Sequence, residues 1–129
     1  MPSYMAAVMK AKDSGIPFAK MNPEELKLSA YSLIIKMNVI TGWNILDKNL
    51  LDIFAEQLSL KLQESYSFLN QYEIEYAFRN FTINDWGKNF NLTALDEVLR
   101  PYLTLRRELH TKETKAEISP VIASNEISQ

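Results

Sequence analysis

The sequence predicts an all-α fold, a compact bundle of four to five helices with a flexible C-terminal tail. Three observations lead there. Apolar residues recur at three-and-four spacing in successive segments. Helix-start residues stand ahead of those segments at Asn22, Asp47 and Asn70. Glycine and proline fall between or at the edges of most of them, as at Gly15, Pro17, Pro23 and Gly42. A chain of 129 residues that is 47% apolar is long enough for one core and too short for two ordinary domains. The expected organisation is a single helical domain over 1–110 and a flexible acidic tail over 111–129.

The first helix covers Ser3 to Asp13, with Met5, Val8 and Met9 as a short apolar face before Ser14 and Gly15 stop it. Ile16-Pro17-Phe18 then reads as an extended anchor, because the residue before a proline is pushed out of the α region. Asn22-Pro23-Glu24-Glu25 is the strongest start signal in the chain: an N-cap Asn, a proline at the first helical position and a glutamate three residues after the cap. A helix follows from Pro23 to Thr41, with the stripe Leu26, Ala30, Leu33, Ile34, Met37 and Ile40, and Gly42 ends it.

Asp47 caps a third helix reaching about Tyr66, which carries Leu50, Leu51, Phe54, Leu58 and Leu62. Ile53 and Leu60 lie off that stripe, so this helix is apolar on more than one side and is expected at the centre of the bundle. Asn70 caps a fourth helix with Ile74, Ala77, Phe78 and Phe81 on one face and Arg79-Asn80 at its end. Thr93 and Asp96 resemble a capping box that opens a last helix from Ala94 to about His110, and Pro101 within it predicts a kink near Glu97. From Thr111 no helical stripe remains.

The connection NDWGKNFNLT, Asn84 to Thr93, places a glycine where the chain must reverse and two aromatics, Trp86 and Phe90, four residues apart. It is expected to be a packed loop, Gly87 taking positive φ while the rings turn back into the core. Roughly twelve residues lie between Asn80 and Thr93, against about 3–4 in the turn of a DNA-reading helix-turn-helix. Glu73, Glu75, Asp96 and Glu97 also stand in the N-terminal parts of these two helices, where carboxylates repel phosphate.

Charge divides along the chain. Residues 1–107 hold 12 Lys or Arg and 12 Asp or Glu, whereas 108–129 hold Lys112 and Lys115 against Glu108, Glu113, Glu117 and Glu126, which accounts for the net −2. No global basic field argues for nucleic acid. A local cluster does exist at the end of the last helix, Arg100, Arg106, Arg107, Lys112 and Lys115, and it supplies the candidate nucleic-acid contacts. Cations at a helix C-terminus are equally expected from the helix dipole alone. On size and rigidity, Trp86, Tyr72 and Tyr76 are the candidate protein-binding anchors.

Chemistry is thinly provided. The chain has no cysteine, which excludes thiolate metal sites and a cysteine nucleophile. Its single histidine, His110, has no acidic or hydroxyl constellation associated with it in sequence. No phosphate-binding glycine loop and no metal-ligand spacing occurs. These observations predict a protein that is not an enzyme, with no cofactor and no metal. The longest apolar runs, such as Leu33-Ile34-Ile35, are far shorter than a membrane span, and a cytoplasmic location is expected.

Three stretches together, IPFAKMNPEELKLSAYSLIIKMNVITGWNI, EIEYAFRN and DWGKNFNLTALDEVLRPYLTLRREL, resemble uncharacterised small helical proteins of phages, prophages and mobile elements of Bacteroidetes-type bacteria, over roughly Ile16 to Leu109. The architecture is also similar to that of phage helicase-loader and helicase-inhibitor proteins. The resemblance implies a phage-type accessory protein in a bacterial host cell that acts by binding protein, a DNA-replication adaptor docking on a replicative helicase. A direct DNA binder using the basic end of the last helix, or a structural virion component, are the alternatives.

Overall fold

The computed structural model describes residues 3–44, 46–81 and 87–128, with side chains over 4–111 of these. Five α-helices are formed among them: α1 Ser3–Ser14, α2 Pro23–Thr41, α3 Lys48–Ser65, α4 Gln71–Asn80 and α5 Leu92–Ser128, with a single 3-10 turn at Phe18–Lys20. No strand occurs among the described residues. The all-α expectation is met, and the starts of α2, α3, α4 and α5 are set by side-chain caps that can be named.

The clearest case is α2. Asn22 accepts from the Glu25 backbone N–H at 2.8 Å and Glu25 reaches back to the Asn22 N–H at 3.3 Å, closing the capping box, with Pro23 at the first helical position. Its predicted stripe is buried at Leu26, Ala30, Leu33, Ile34 and Met37, and Ile40 packs partly against the core. Phe18 fulfils the anchor expectation. It is buried, and its N–H donates to the Leu69 carbonyl at 2.9 Å while that of Ala19 donates to Ser67 at 2.8 Å.

Two expectations are corrected. The central helix is α4, not α3. Six consecutive residues of α4, Glu73 to Phe78, are buried, and it packs on α1, α2 and α5. In α3 only Ala55, Leu58 and Leu62 are buried, while Leu50, Ile53 and Leu60 are exposed; its extra apolar residues face outward. The last helix is capped by Asn91, whose side-chain oxygen accepts from the Ala94 N–H at 2.8 Å, so helix formation begins at Leu92. Asp96, assigned to a cap, instead accepts from the Tyr66 hydroxyl at 2.5 Å and pairs with Lys61 at 3.3 Å.

The last helix is also longer than its apolar stripe. Its backbone runs through Pro101 without interruption and past His110 to Ser128, over the segment read as a tail. Glu113, Lys115, Ala116 and Glu117 are strong intrinsic helix formers, which favours continuation of the helix. The last buried side chain on α5 among the described residues is Leu109.

The loop before α5 packs as its aromatics predict. Gly87 has φ 74°, and Phe90 is buried edge-on against Trp43, with centroids 5.7 Å apart, and against Phe54 at 5.3 Å. The Asn44 N–H donates to the Lys88 carbonyl at 2.8 Å, pinning the loop to the end of α2. Trp86 lies outside the described residues. Trp43 also meets Phe78 of α4 edge-on at 6.0 Å, so one aromatic cluster joins α2, α3, α4 and the loop.

Phe78 is nearly inaccessible at the middle of this cluster. Phe78→Ala should therefore lower unfolding stability by about 3–5 kcal/mol, through lost transfer energy plus an unfilled cavity. Urea denaturation checks it, and a loss under about 1 kcal/mol would contradict the packing described.

Candidate partner-binding face

The exposed side of α4 forms the floor of a surface walled by α1 on one side and α2 on the other. A cavity of about 430 Å³ lies between α1 and α4, lined by Ala7, Lys10 and Ala11 against Tyr72, Tyr76 and Arg79. A second, shallower groove of about 270 Å³ lies between α4 and α2, lined by Ile35, Val39 and Ile40 with Lys36, Glu75 and Arg79. Glu75 and Arg79 border both, so the two depressions form one surface.

Sequence explains why this side of α2 is available. Leu28, Ile35 and Val39 are spaced seven and four apart, so they share one stripe, and that stripe lies opposite the buried one. All three are exposed, Ile35 at 55% and Val39 at 80%. The helix thus carries apolar residues on two faces, only one of which the fold buries.

Polar groups frame the apolar ones. The Lys36 ammonium meets the Glu75 carboxylate at 2.6 Å and bridges α2 to α4. The Gln71 amide donates to the Ser32 hydroxyl at 3.1 Å on the same seam. Arg79 is exposed at the junction of the grooves. Gly15, just after α1, lies close to Tyr72 and Asn70: a Cβ there would come within 2.9 Å of the Tyr72 ring, so a larger residue would force a shift.

Of the three predicted protein-binding anchors, Tyr72 is exposed on this surface at 48%. Tyr76, expected to be exposed, is buried at 8%; its ring lies 5.9 Å from Tyr102 and 6.4 Å from Phe81, leaving only an edge in the cavity. The third is Trp86, which the described residues exclude.

The basic cluster is divided by the fold. Arg100 and Arg107 are exposed on α5. Arg106 turns inward. Its Nε donates to Glu73 at 2.7 Å, its Nη2 donates to the Phe68 carbonyl at 3.3 Å, and its guanidinium sits 5.2 Å from the centre of the Phe68 ring. Lys112 and Lys115 lie on the helical backbone beyond the described side chains. Sequence reasoning had no signal that Glu73 would be buried, and so none that Arg106 would have a partner inside the protein.

Glu73 is the acceptor at the centre of this arrangement. One carboxylate oxygen accepts from the Asn70 N–H at 3.2 Å, and the other accepts from Tyr102 at 2.5 Å and from Arg106. Burial, and then the hydrogen bond to Glu73, push the Tyr102 phenol above its ordinary range. Burial and the bond to Asp96 do the same for Tyr66.

Among the described residues no group of three His, Cys, Asp or Glu side chains could hold a metal ion, and no helix is long and apolar enough to cross a membrane. The chain matches no protein-family model, no curated protein and no solved structure.

The two raised phenols set a pH dependence. A folded-state pKa above the unfolded value of about 10 means that folding favours the protonated form, so this stabilisation is complete below about pH 10 and is lost as pH rises beyond it. Stability should fall on the alkaline side, and Tyr102→Phe should flatten that fall. Denaturant midpoints measured across the alkaline range, with tyrosinate absorbance in parallel, check both; wild-type and variant curves of equal slope would contradict it.

Proposed function

We propose that the protein acts by binding another protein, with the α1–α4–α2 surface as its docking face. The observation that carries the reading is the outward stripe Leu28, Ile35 and Val39, next to a surface on which Tyr72 and Arg79 are exposed. Residues 28 to 39 of a helix span about 16 Å, three turns. That length suits an amphipathic helix of a partner laid along α2, apolar side down, a recurrent mode of recognition. Lys10 and Arg79 on the rim favour acidic residues flanking the partner's apolar stripe.

The resemblance to small phage and mobile-element proteins suggests what the partner is. On that reading the protein is a phage-type accessory factor, a replication adaptor in a bacterial host cell, and the docked helix belongs to a replicative helicase.

The direct DNA-binding alternative is less well supported, because Arg106 already serves Glu73 and only Arg100 and Arg107 of the described cluster stand exposed.

Purification of the tagged chain from expressing cells, followed by reconstitution with the isolated partner, tests the docking face. Val39→Asp should weaken the reconstituted complex at least tenfold while leaving the circular dichroism spectrum unchanged, since Val39 is exposed. A complex indifferent to both Val39→Asp and Tyr72→Ala would sink the assignment of this face. Failure of purified replicative helicase to bind would remove the adaptor reading alone.

Short duplex DNA should be bound no more tightly than the nonspecific range of about 10⁻⁴ to 10⁻⁶ M near physiological salt. A mobility-shift titration giving nanomolar, sequence-dependent binding that is lost in the Arg100→Ala, Arg107→Ala double variant would install the DNA-binding alternative.

A further inference from the structure

A second recess lies on a different part of the molecule. It has a volume of about 260 Å³ and is lined by Phe68, Leu103, Arg106, Arg107 and His110. Phe68, in the link between α3 and α4, is 46% exposed, an unusual position for a large aromatic. Leu103 is half-buried beside it. Among the described residues, the recess therefore has an apolar floor with basic side chains around it and no carboxylate in its lining.

Arg106 gives this recess its character. Two of its donors are engaged, Nε by the buried Glu73 carboxylate and Nη2 by the Phe68 carbonyl, and its Cζ lies over the Phe68 ring, 5.2 Å from the centroid. A guanidinium carries five N–H donors in a rigid fork. Those bonds hold the fork in place while the residue lines the recess. An arginine ordered in this way loses little conformational freedom on meeting an anion, which is the condition for strong bidentate recognition of a carboxylate. Glu73 offsets the charge of Arg106, so net attraction falls to Arg107, which is exposed at the rim, with His110 next to it.

We infer that this recess binds an acidic peptide segment, seating an apolar side chain on Phe68 and Leu103 and a neighbouring carboxylate on Arg106 and Arg107. Charge and apolar surface together select this occupant. A nucleic-acid backbone supplies the anion but no aliphatic or aromatic side chain for the floor, and a wholly apolar segment would leave the two guanidinium groups unanswered. The site is separate from the α1–α4–α2 face and does not depend on a partner docking there.

Selection of peptides from a random library on the full-length protein, with affinities of the enriched peptides then measured by fluorescence anisotropy, tests it. Enriched peptides should carry Asp or Glu within a few positions of Leu, Phe or Trp. Replacing their acidic residues by the amides should cost at least tenfold in affinity. Arg107→Glu and Phe68→Ser, both at exposed positions, should each weaken binding by a similar factor, whereas Val39→Asp on the other face should leave it unchanged. Enrichment of peptides without acidic residues, absence of any enrichment, or binding that survives both Arg107→Glu and Phe68→Ser would overturn the proposal. So would duplex DNA displacing the peptides at micromolar concentration.

Discussion

A carboxylate with 1% exposure is the constraint around which the other elements are arranged. An ionised group taken out of water costs several kcal/mol, and it is tolerated only when its acceptor capacity is filled. Glu73 is filled from three directions: the first turn of its own helix through Asn70, and two turns of α5 through Tyr102 and Arg106. Asn70, equally buried, extends the same network to α1, its amide donating to the Ala11 and Lys12 carbonyls at 2.9 Å. The capping box of the shortest α-helix thereby fixes the end of α1, the link carrying Phe68 and the rotation of α5. Loss of Arg106 is expected to cost about 3–5 kcal/mol, because it leaves the buried Glu73 charge without its cation.

The hub and the aromatic cluster divide the work of orientation between the two ends of α4. At its start, polar bonds of defined direction hold α1 and α5; toward its end, Phe78 meets Trp43, which meets Phe90, and non-directional burial holds α2, α3 and the loop. With both ends tied to the neighbouring helices, the exposed side of α4 is the floor between α1 and α2. The Lys36–Glu75 pair adds a tie across the seam to α2. The outward stripe of α2 is consequently presented in one geometry.

Much of the fold was legible in the sequence because its signals are local. Asn22, Asp47 and Asn70 cap the helices they were expected to cap, since an N-cap bond reaches only two or three residues. Most of what failed turned on which residues a partner element covers. Apolar residues on two sides of α3 suggested a central helix, whereas Ile53 and Leu60 face solvent; periodicity counts apolar residues without knowing which are covered. Asn91 and Thr93 are both reasonable caps, and geometry chose the one whose oxygen reaches Ala94. Tyr76 looked like a surface anchor on size and rigidity, and Arg106 like a nucleic-acid contact within a basic cluster, but Tyr102 and Glu73, distant in sequence, hold them inside. The α1–α4–α2 surface had one visible sign in advance, the residues Leu28, Ile35 and Val39 left over once the buried stripe of α2 was drawn.

Six successive buried residues in a ten-residue helix leave very few positions at which α4 can vary without harming the fold. Tyr72 and Arg79 are among those few, since neither carries the core nor the polar hub. In a lineage of such proteins the interior of this helix would stay nearly constant for reasons of folding alone, and its constancy would say nothing about function. Constancy at Tyr72 and Arg79 would be a different kind of record, one that selection for packing does not write. The same helix would then hold two histories side by side, one of the fold and one of whatever has pressed against it.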